Sequence, residues 1–316
     1  MTPKIKGSIC GILAAISYGT NPLGALNLYA DGMNANSVIF YRYGLATAIL
    51  AAIMLVQKKS FAVTRRELLV LTALGVLMAA SSLSLYCSFN YMDAGIASTI
   101  LFVYPVMVAV MMALFFKERV TLVTALSIVL ALLGISMLYK GGDGAALSTV
   151  GVILVMISSL TYAVYIIIVN KSSLMMSSVK LTFYVLLIGT LMIFAYSFTN
   201  NSARLMPLSS PMMWVYALVL AVFPTVVSLI LMVIAVHNVG STPTAVMGAL
   251  EPITAVCIGI FVFGEAFTVR LGIGIVLILS AVILIVAGKS LPLTHLTYVL
   301  SHLHLKKQLK KWRWKS

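Results

Sequence analysis

LEPITAVCIGIFVFGEAFT, residues 250–268, is an apolar run of helix length with a Glu-Pro pair near its start and a Gly-Glu pair near its end. The same pattern occurs once before, in YPVMVAVMMALFFKERVT at residues 104–121. An offset of 147 residues superposes three special positions without a gap: Pro105 on Pro252, Glu118 on Glu265, and Thr121 on Thr268. Because all three share one register, the sequence indicates an internal duplication.

The composition is that of a protein solvated by lipid. Of 316 residues, 62% are apolar and 9% are charged, and the mean hydropathy is +1.11. Soluble domains carry about 25% charged residues. The three cysteines, Cys10, Cys87 and Cys257, lie in apolar runs and are not spaced for a metal site or a disulfide framework. They are expected to be buried small hydrophobic residues.

Ten apolar segments are long enough to cross a bilayer, which takes about 20 residues per helix. They are 8–29, 35–56, 67–90, 94–116, 121–139, 149–170, 178–199, 212–236, 241–263 and 268–288. Strands of a membrane barrel would alternate apolar and polar residues, whereas these runs are continuously apolar. The sequence therefore predicts an all-α polytopic membrane protein with ten transmembrane helices. The first segment follows Lys4 and Lys6 like a signal peptide, but nine further spans favour a retained helix.

The distribution of Lys and Arg predicts the orientation. With a cytoplasmic N-terminus, 17 basic residues lie in cytoplasmic connections and ends, against three in outer loops. The outer three are Lys140, Arg204 and Arg270, and Arg42 remains inside a span. Both termini are thus expected in the cytoplasm, and the net charge of +14 is mostly a topology signal rather than a sign of nucleic-acid binding.

The duplication predicts two five-helix repeats, residues 1–145 and 146–290, followed by a basic cytoplasmic tail at 291–316. Since five is odd, the second repeat enters the membrane in the opposite sense. Inverted repeats of this kind are typical of secondary transporters, whose binding site lies at the repeat interface. The first spans match more weakly and need a one-residue shift: Ser17-Tyr18 with Thr161-Tyr162, and Phe40-Tyr41 with Phe183-Tyr184.

The tail carries three histidines and then KKQLKKWRWK. A polybasic segment beside a span is attracted to anionic lipid, and Trp312 and Trp314 suit an interfacial position. Either the tail binds a lipid or a partner for regulation, or it is a membrane-surface segment that aids orientation. No carboxylate or Cys accompanies the histidines, so a metal site is not expected there.

Glu251 is the first candidate binding residue, because it lies close to mid-membrane and an ionisable group there is costly. The next residue, Pro252, cannot donate a hydrogen bond and is expected to free the Gly248 carbonyl. The carboxylate and this carbonyl could bind an ammonium group or a proton. The alternative is a structural Glu that is hydrogen-bonded to another helix.

The first-half counterpart of Glu251 is Tyr104, which precedes Pro105. Pro105 is expected to free the Leu101 carbonyl in the same way. Pro105 and Pro252 are candidate hinges, and Tyr104 is a candidate wall of the binding site.

Arg42, in FYRYG, is the second ionisable residue inside a span. Its guanidinium could hold a substrate carboxylate or phosphate in a bidentate fork. It could instead pair with an internal acid, or reach the outer headgroups.

Polar and aromatic residues on other spans give the remaining candidates for a cavity lining. They are Tyr18, Asn21, Tyr86 and Tyr162. Small hydroxyl residues near them are more typical of packing between helices. Glu118 and Glu265, at span ends three residues before a Thr, are expected to stabilise turns or cap helix ends.

The motifs ILFVYPVMVAVMMALFFKERVTLVTALSIVLALLGISML and GALEPITAVCIGIFVFGEAFTVRLGIGIVLILSAVILI each resemble the repeat-closing pattern of the ten-helix drug/metabolite transporter superfamily, in its bacterial EamA-type branch. FYRYGLA is similar to the family's second-helix signature. The resemblance covers residues 5–288. It implies a basket-shaped bundle with a central cavity, and transport of small organic metabolites, often amino acids, across a bacterial inner membrane.

The expected function is therefore an alternating-access carrier, an exporter of a small metabolite such as a zwitterionic amino acid. A facilitator, or a carrier of another metabolite or a cationic drug, is the alternative. No HExxH, GxSxG or paired intramembrane Asp supports an intramembrane enzyme. A receptor or scaffold acting through the basic tail is the third class. No cofactor, metal or nucleic acid is expected, and the sequence leaves the oligomeric state and proton coupling open.

Overall fold

The computed structural model describes residues 2–116, 122–138, 148–172, 174, 176–199, 201–239, 244 and 247–288. Every regular element in these ranges is helical. The α-helices are α1 (Pro3–Gly19), α2 (Asn21–Ala30), α3 (Ala35–Val56), α4 (Arg65–Ser88), α5 (Ala94–Leu101), α6 (Tyr104–Phe116), α7 (Leu122–Leu138), α8 (Thr149–Lys171), α9 (Ser178–Tyr196), α10 (Pro211–Ala221), α11 (Ser228–Val239), α12 (Leu250–Phe263) and α13 (Val269–Gly288). The basic tail and Glu118 lie outside the described residues.

Seven helical segments in the described part of the chain are long and apolar enough to cross a membrane. They are Pro3–Ala30, Ala35–Val56, Arg65–Ser88, Ala94–Phe116, Thr149–Val169, Ser178–Tyr196 and Pro211–Val239. Three shorter apolar helices accompany them: Ala125–Met137, Leu250–Phe263 and Val269–Leu284. The prediction of an all-helical, multi-pass membrane protein is therefore confirmed.

Short polar residues begin several helices by accepting a hydrogen bond from the first turn. Asn34 caps α3 through Oδ1, which accepts from the Ser37 N–H at 2.8 Å. The Thr64 side chain caps α4, and the Thr64 N–H donates to the Glu67 carboxylate at 2.7 Å, which completes a capping box. These caps satisfy N–H groups that have no partner within the helix.

Three of the predicted spans are interrupted where proline removes a backbone donor. The first span divides at Thr20, ahead of the Asn21-Pro22 pair. The fourth divides between α5 and α6, just before Pro105. The eighth contains a π-helix, Val222–Val227, around Pro224. Short π-helical segments within α-helices are frequent at functional sites. This segment was not predicted from the sequence.

The helices pack closely through small residues. A Cβ on Gly7 would lie 2.6 Å from the Asn238 Cβ, and a Cβ on Gly151 would lie 3.0 Å from the Tyr91 Cβ. Glycine therefore lets α11 approach α1 closely at Gly7, and lets the turn after α4 approach α8 closely at Gly151. Many large apolar side chains, such as Leu114, remain exposed on the outside of the bundle. Such a surface is stable when lipid surrounds it.

Three serines join helices through hydrogen bonds to backbone carbonyls. Ser81 on α4 donates to the Ser158 carbonyl of α8 at 3.0 Å, and Ser158 donates back to the Ser81 carbonyl at 2.7 Å. Ser228 at the start of α11 donates to the Ala14 carbonyl of α1 at 2.9 Å. These serines form contacts between helices, which is the alternative that the sequence favoured for small hydroxyl residues.

Candidate functional site

Arg42 lies inside the bundle and is only 3% exposed. Its Nε donates to the Thr225 hydroxyl at 3.0 Å, and its Nη1 donates to the Tyr86 hydroxyl at 2.8 Å. The guanidinium carbon also lies 5.9 Å from the Tyr18 ring, 6.0 Å from the Tyr43 ring and 5.7 Å from the Tyr86 ring. Neutral hydroxyls and aromatic faces therefore hold this cation, and it does not extend to the outer headgroups.

A chain of hydrogen bonds leads from Arg42 towards the interrupted first span. The Tyr86 hydroxyl accepts from Arg42 and donates to Asn21 Oδ1 at 3.1 Å. Asn21 Nδ2 donates to the Tyr18 carbonyl at 2.9 Å, which the break at Thr20 leaves without its usual helical partner. The chain joins α3, α4 and the α1–α2 junction into one polar network.

Glu251 lies in the first turn of α12 and is partly exposed to a small cavity. The cavity has a volume of about 10 Å³, which is close to the space for one water molecule. Its lining comes from α1, α2, α4, α5 and α12: Tyr18, Gly19, Asn21, Pro22, Leu85, Ser98, Leu101, Glu251 and Ala255. The cavity as it stands is too small for an organic substrate, which could enter only if the helices separated.

Gly19 sets the distance between α1 and α12 at this point. A Cβ on Gly19 would lie 2.6 Å from the Glu251 carbonyl oxygen and 2.5 Å from the Thr254 Cβ. Only glycine therefore allows the backbone of α1 to approach the first turn of α12 so closely. This contact holds Glu251 against the junction that carries Tyr18 and Asn21.

Three tyrosines from different helices lie near enough to Glu251 to interact with it electrostatically: Tyr18, Tyr104 and Tyr162. The Tyr104 and Tyr162 rings meet edge to face with centroids 4.7 Å apart. Tyr162 also stacks with Tyr165 at 5.7 Å and an interplanar angle of 8°. Arg42 is the oppositely charged group within electrostatic range of Glu251.

The predicted site residues occupy three positions relative to the cavity. Tyr18, Asn21 and Glu251 line the cavity. Tyr104 and Tyr162 form the aromatic pair beside it, whereas Arg42 and Tyr86 lie behind the lining. Whether these residues bind a substrate stays a prediction, and so does movement about Pro105 and Pro252.

Thr225 is a member of the network that was not among the predicted site residues. It lies in the π-helix, accepts from Arg42 and donates to the Leu220 carbonyl at 3.0 Å. The Pro224-Thr225 pair within a span was visible in the sequence, but nothing there linked it to Arg42, 183 residues away. Tyr43 was also missed; its hydroxyl contacts Ser82 and donates to the Met78 carbonyl at 3.3 Å.

The two carbonyls expected to be free beside the prolines both have partners. The Leu101 carbonyl accepts from the Ser159 hydroxyl at 3.2 Å, and the Gly248 carbonyl accepts from the Glu251 N–H at 3.0 Å. The expectation of free carbonyls was wrong, because a buried carbonyl in an apolar bundle is costly unless it is bonded. The predicted ligand-binding role of Glu251 therefore depends on its carboxylate alone.

Glu265 caps a helix, as expected, but the helix belongs to the other half of the chain. Its carboxylate accepts from the Ala94 N–H at 2.8 Å and the Gly95 N–H at 3.3 Å, at the start of α5. Burial, with a contribution from Asp93, raises the pKa of Glu265 above its ordinary value, while the two N–H groups act in the opposite direction.

Within the described ranges, no three His, Cys, Asp or Glu residues are grouped so that they could hold a metal ion. The side chains around the cavity are instead one carboxylate, an amide, hydroxyls and aromatic rings. Such a lining suits the binding of a small organic molecule.

Comparison with known proteins agrees with this architecture. Over 192 residues the chain is 28% identical to an uncharacterized transporter of Archaeoglobus fulgidus, covering 61% of this chain and 67% of the relative. It is 22% identical over 196 residues to the uncharacterized transporter YvbV of Bacillus subtilis, covering 62% of this chain and 64% of that protein. These alignments span about two-thirds of each relative.

One solved crystal structure has the same fold. It matches with a TM-score of 0.64 and 12% identity, over 89% of this chain and 96% of the other. The profile of the EamA-like transporter family matches twice, at residues 5–140 and 149–287. Because these matches cover most of the chain, the protein belongs to the EamA-like transporter family, and it is a multi-pass membrane transporter.

Proposed function

We propose that this transporter is a secondary carrier that exports a small organic metabolite bearing an amino group, by alternating access through the cavity at Glu251. Amino acids are the first substrate class to test. The observation that carries the proposal is the position of Glu251, a carboxylate within an apolar bundle that lines a small cavity. A charge that costs several kcal/mol to bury there is a functional candidate by default.

We also propose ten spans arranged as two inverted repeats, residues 1–145 and 146–290. The two successive matches to the family profile support this division. Two equivalent hydrogen bonds support it as well. Ser81 donates to the Ser158 carbonyl, and Ser228, which lies 147 residues after Ser81, donates to the Ala14 carbonyl. Ala14 precedes Ser158 by 144 residues, the offset that relates Ser17-Tyr18 to Thr161-Tyr162.

Alternating access in such a molecule would consist of rocking one repeat against the other. The breaks before Pro105 and at Thr20 and the π-helix at Pro224 are places where helix direction can change without loss of a regular hydrogen-bond ladder. The excess of basic residues in one set of loops supports cytoplasmic termini and a location in the bacterial inner membrane. Transport of an unmodified metabolite needs no catalytic residue, so we propose no enzymatic activity.

Reconstitution in proteoliposomes tests the proposal. Vesicles with the purified full-length protein should exchange at least one labelled solute from a panel of amino acids, amines, sugars and nucleobases faster than empty vesicles do. Glu251→Gln should reduce this flux at least tenfold, because it removes the charge and keeps the shape. Asp31→Asn, which removes an exposed carboxylate at a helix end, serves as the matched control and should transport normally.

If no solute moves faster in vesicles with the protein than in empty vesicles, the proposed carrier function is contradicted. Equal flux in Glu251→Gln and the unaltered protein would remove Glu251 from the mechanism. An imposed pH gradient separates two modes: a gradient that drives accumulation supports proton coupling, and exchange that ignores it supports facilitated diffusion.

A further inference from the structure

The arrangement around Glu251 allows an inference about which end of the substrate the protein recognises. This inference rests on the proposed function. Among the described residues that line the cavity, Glu251 is the one with a formal charge. The other polar side chains of the lining, Tyr18, Asn21 and Ser98, are neutral. The described lining therefore carries one acidic group and no basic group.

Arg42 is not placed to supply a positive counterpart. Its Nε and Nη1 already donate to Thr225 and Tyr86, and it does not belong to the cavity lining. Because Arg42 lies behind the lining, a carboxylate in the cavity would contact the guanidinium only if the side chain moved away from its aromatic contacts.

A carboxylate on the ligand would also meet an unfavourable field. A ligand in the cavity meets the Glu251 carboxyl group, which is part of the lining. A ligand carboxylate beside an ionised Glu251 would be repelled, whereas an ammonium group would be attracted.

The aromatic side chains favour a cation as well. Tyr18 lines the cavity, and Tyr104 and Tyr162 lie near enough to Glu251 to interact with it electrostatically. The faces of aromatic rings carry negative potential and attract organic cations. A carboxylate with tyrosines beside it is the combination that selects an ammonium group on an apolar body.

We infer that the cavity selects primary monoamines without a carboxylate over the zwitterionic amino acids of the same skeleton. In this assignment Glu251 binds the ammonium group and the tyrosines contact the apolar part. Arg42 is a positioning residue: it holds Tyr86, Asn21 and Thr225 in place, and its own charge disfavours ligands with a second positive group.

Matched pairs that differ by one carboxylate test this inference. Binding to the purified full-length protein is measured by calorimetry for phenethylamine against phenylalanine, and for 3-methylbutylamine against leucine. Each amine should bind at least tenfold more tightly than its amino acid. Glu251→Gln should abolish amine binding, Glu251→Asp should retain part of it, and Asp31→Asn should leave it unchanged.

Tighter binding of either amino acid than of its amine would overturn the inference, and so would amine binding that survives in Glu251→Gln. If proteoliposomes then exchange amino acids or sugars, the transporter proposal stands and this inference alone fails. If no solute is exchanged at all, the transporter proposal fails with it. A Glu251→Gln protein that does not fold is replaced by Glu251→Asp, whose amine affinity must fall while its melting temperature is kept.

Discussion

At the scale of single residues, the candidate site depends on the positions of Arg42 and Glu251 and on the close packing of helices at Gly19. Arg42 is stabilised by neutral partners, namely two hydroxyls and three aromatic rings, rather than by a carboxylate at bonding distance. Glu251 keeps access to the cavity because Gly19 lets α1 approach its helix without a side chain in between. Among the described residues, Arg42 thus holds the buried polar network together, while Glu251 stays open to the cavity.

Gly19→Ala should destabilise the protein and impair transport. The added methyl group would lie 2.5 Å from the Thr254 Cβ and 2.6 Å from the Glu251 carbonyl oxygen, so α1 and α12 must move apart. Overpacking of this kind costs about 1–3 kcal/mol. Thermal unfolding in detergent and solute exchange in proteoliposomes both measure the effect.

Gly44→Ala is the control, because its Cβ would lie 3.8 Å from Thr190 Cγ2, an ordinary contact. It is a helical glycine too, so the gain in helix propensity, about 1 kcal/mol, is common to both variants. Equal melting temperatures for the two variants would show that the approach at Gly19 is unimportant.

At the scale of helices and loops, bonds between the two halves replace the helix ladder where the ladder is interrupted. Ser159 satisfies the carbonyl that Pro105 leaves over, and Thr225 in the π-helix holds Arg42. Glu265, at the end of α12, satisfies the first N–H groups of α5. Each interruption is thus stabilised by a residue far away in the chain.

Glu265 variants should show both its capping role and its titration. Glu265→Ala leaves the N–H groups of Ala94 and Gly95 without this acceptor, whereas Glu265→Gln keeps one acceptor. At pH 7 the Ala variant should be less stable than the Gln variant by about 0.5–2 kcal/mol. Thermal unfolding measured for both proteins in the same detergent checks this.

The pH dependence follows from the raised pKa of Glu265, which lies in the loop beyond α12. A carboxyl with a raised pKa binds its proton more tightly in the folded protein than in the unfolded chain. The folded state therefore loses stability as the pH rises from about 4.3, the unfolded value, through the higher folded value. The unaltered protein should lose melting temperature relative to Glu265→Gln over this range, and a constant difference would contradict the titration.

At the scale of the whole molecule, the exposed surface is apolar and the charged residues gather at the helix ends. Lys58, Arg65, Arg66 and Lys180 lie at one set of ends, as the topology prediction requires. Lys180 also donates to the Ala62 carbonyl, and Tyr184 donates to that of Phe61. The start of α9 therefore fixes the connection between α3 and α4.

Cysteine labelling tests the orientation. After Cys10, Cys87 and Cys257 are replaced by alanine, single cysteines are introduced at exposed positions. With cytoplasmic termini, an impermeant maleimide added to spheroplasts should label Asp31→Cys and Ser209→Cys, and should label Ser60→Cys only after lysis. The reverse pattern would invert the topology and change the proposed export into uptake.

The sequence by itself determined the class of protein and the elements of its site. Continuous apolar runs can satisfy their backbone only as helices in lipid, so a multi-pass helical protein followed from composition and length. The rarity of ionisable residues within spans selected Glu251 and Arg42 without any knowledge of contacts. Pro105 marked a place where a helix is interrupted, whereas the π-helix around Pro224 was not foreseen.

Only the tertiary structure decided how these residues divide their roles. Sequence spacing could not show that Thr225 and Tyr86 would satisfy Arg42, or that Ser159 would occupy the Leu101 carbonyl, because these bonds join helices 44 to 183 residues apart. Helix packing depends on which small residues let backbones approach, and Gly19 acquires its meaning only beside Glu251. A sequence records which groups need partners, whereas the packing of helices in three dimensions determines which partners they find.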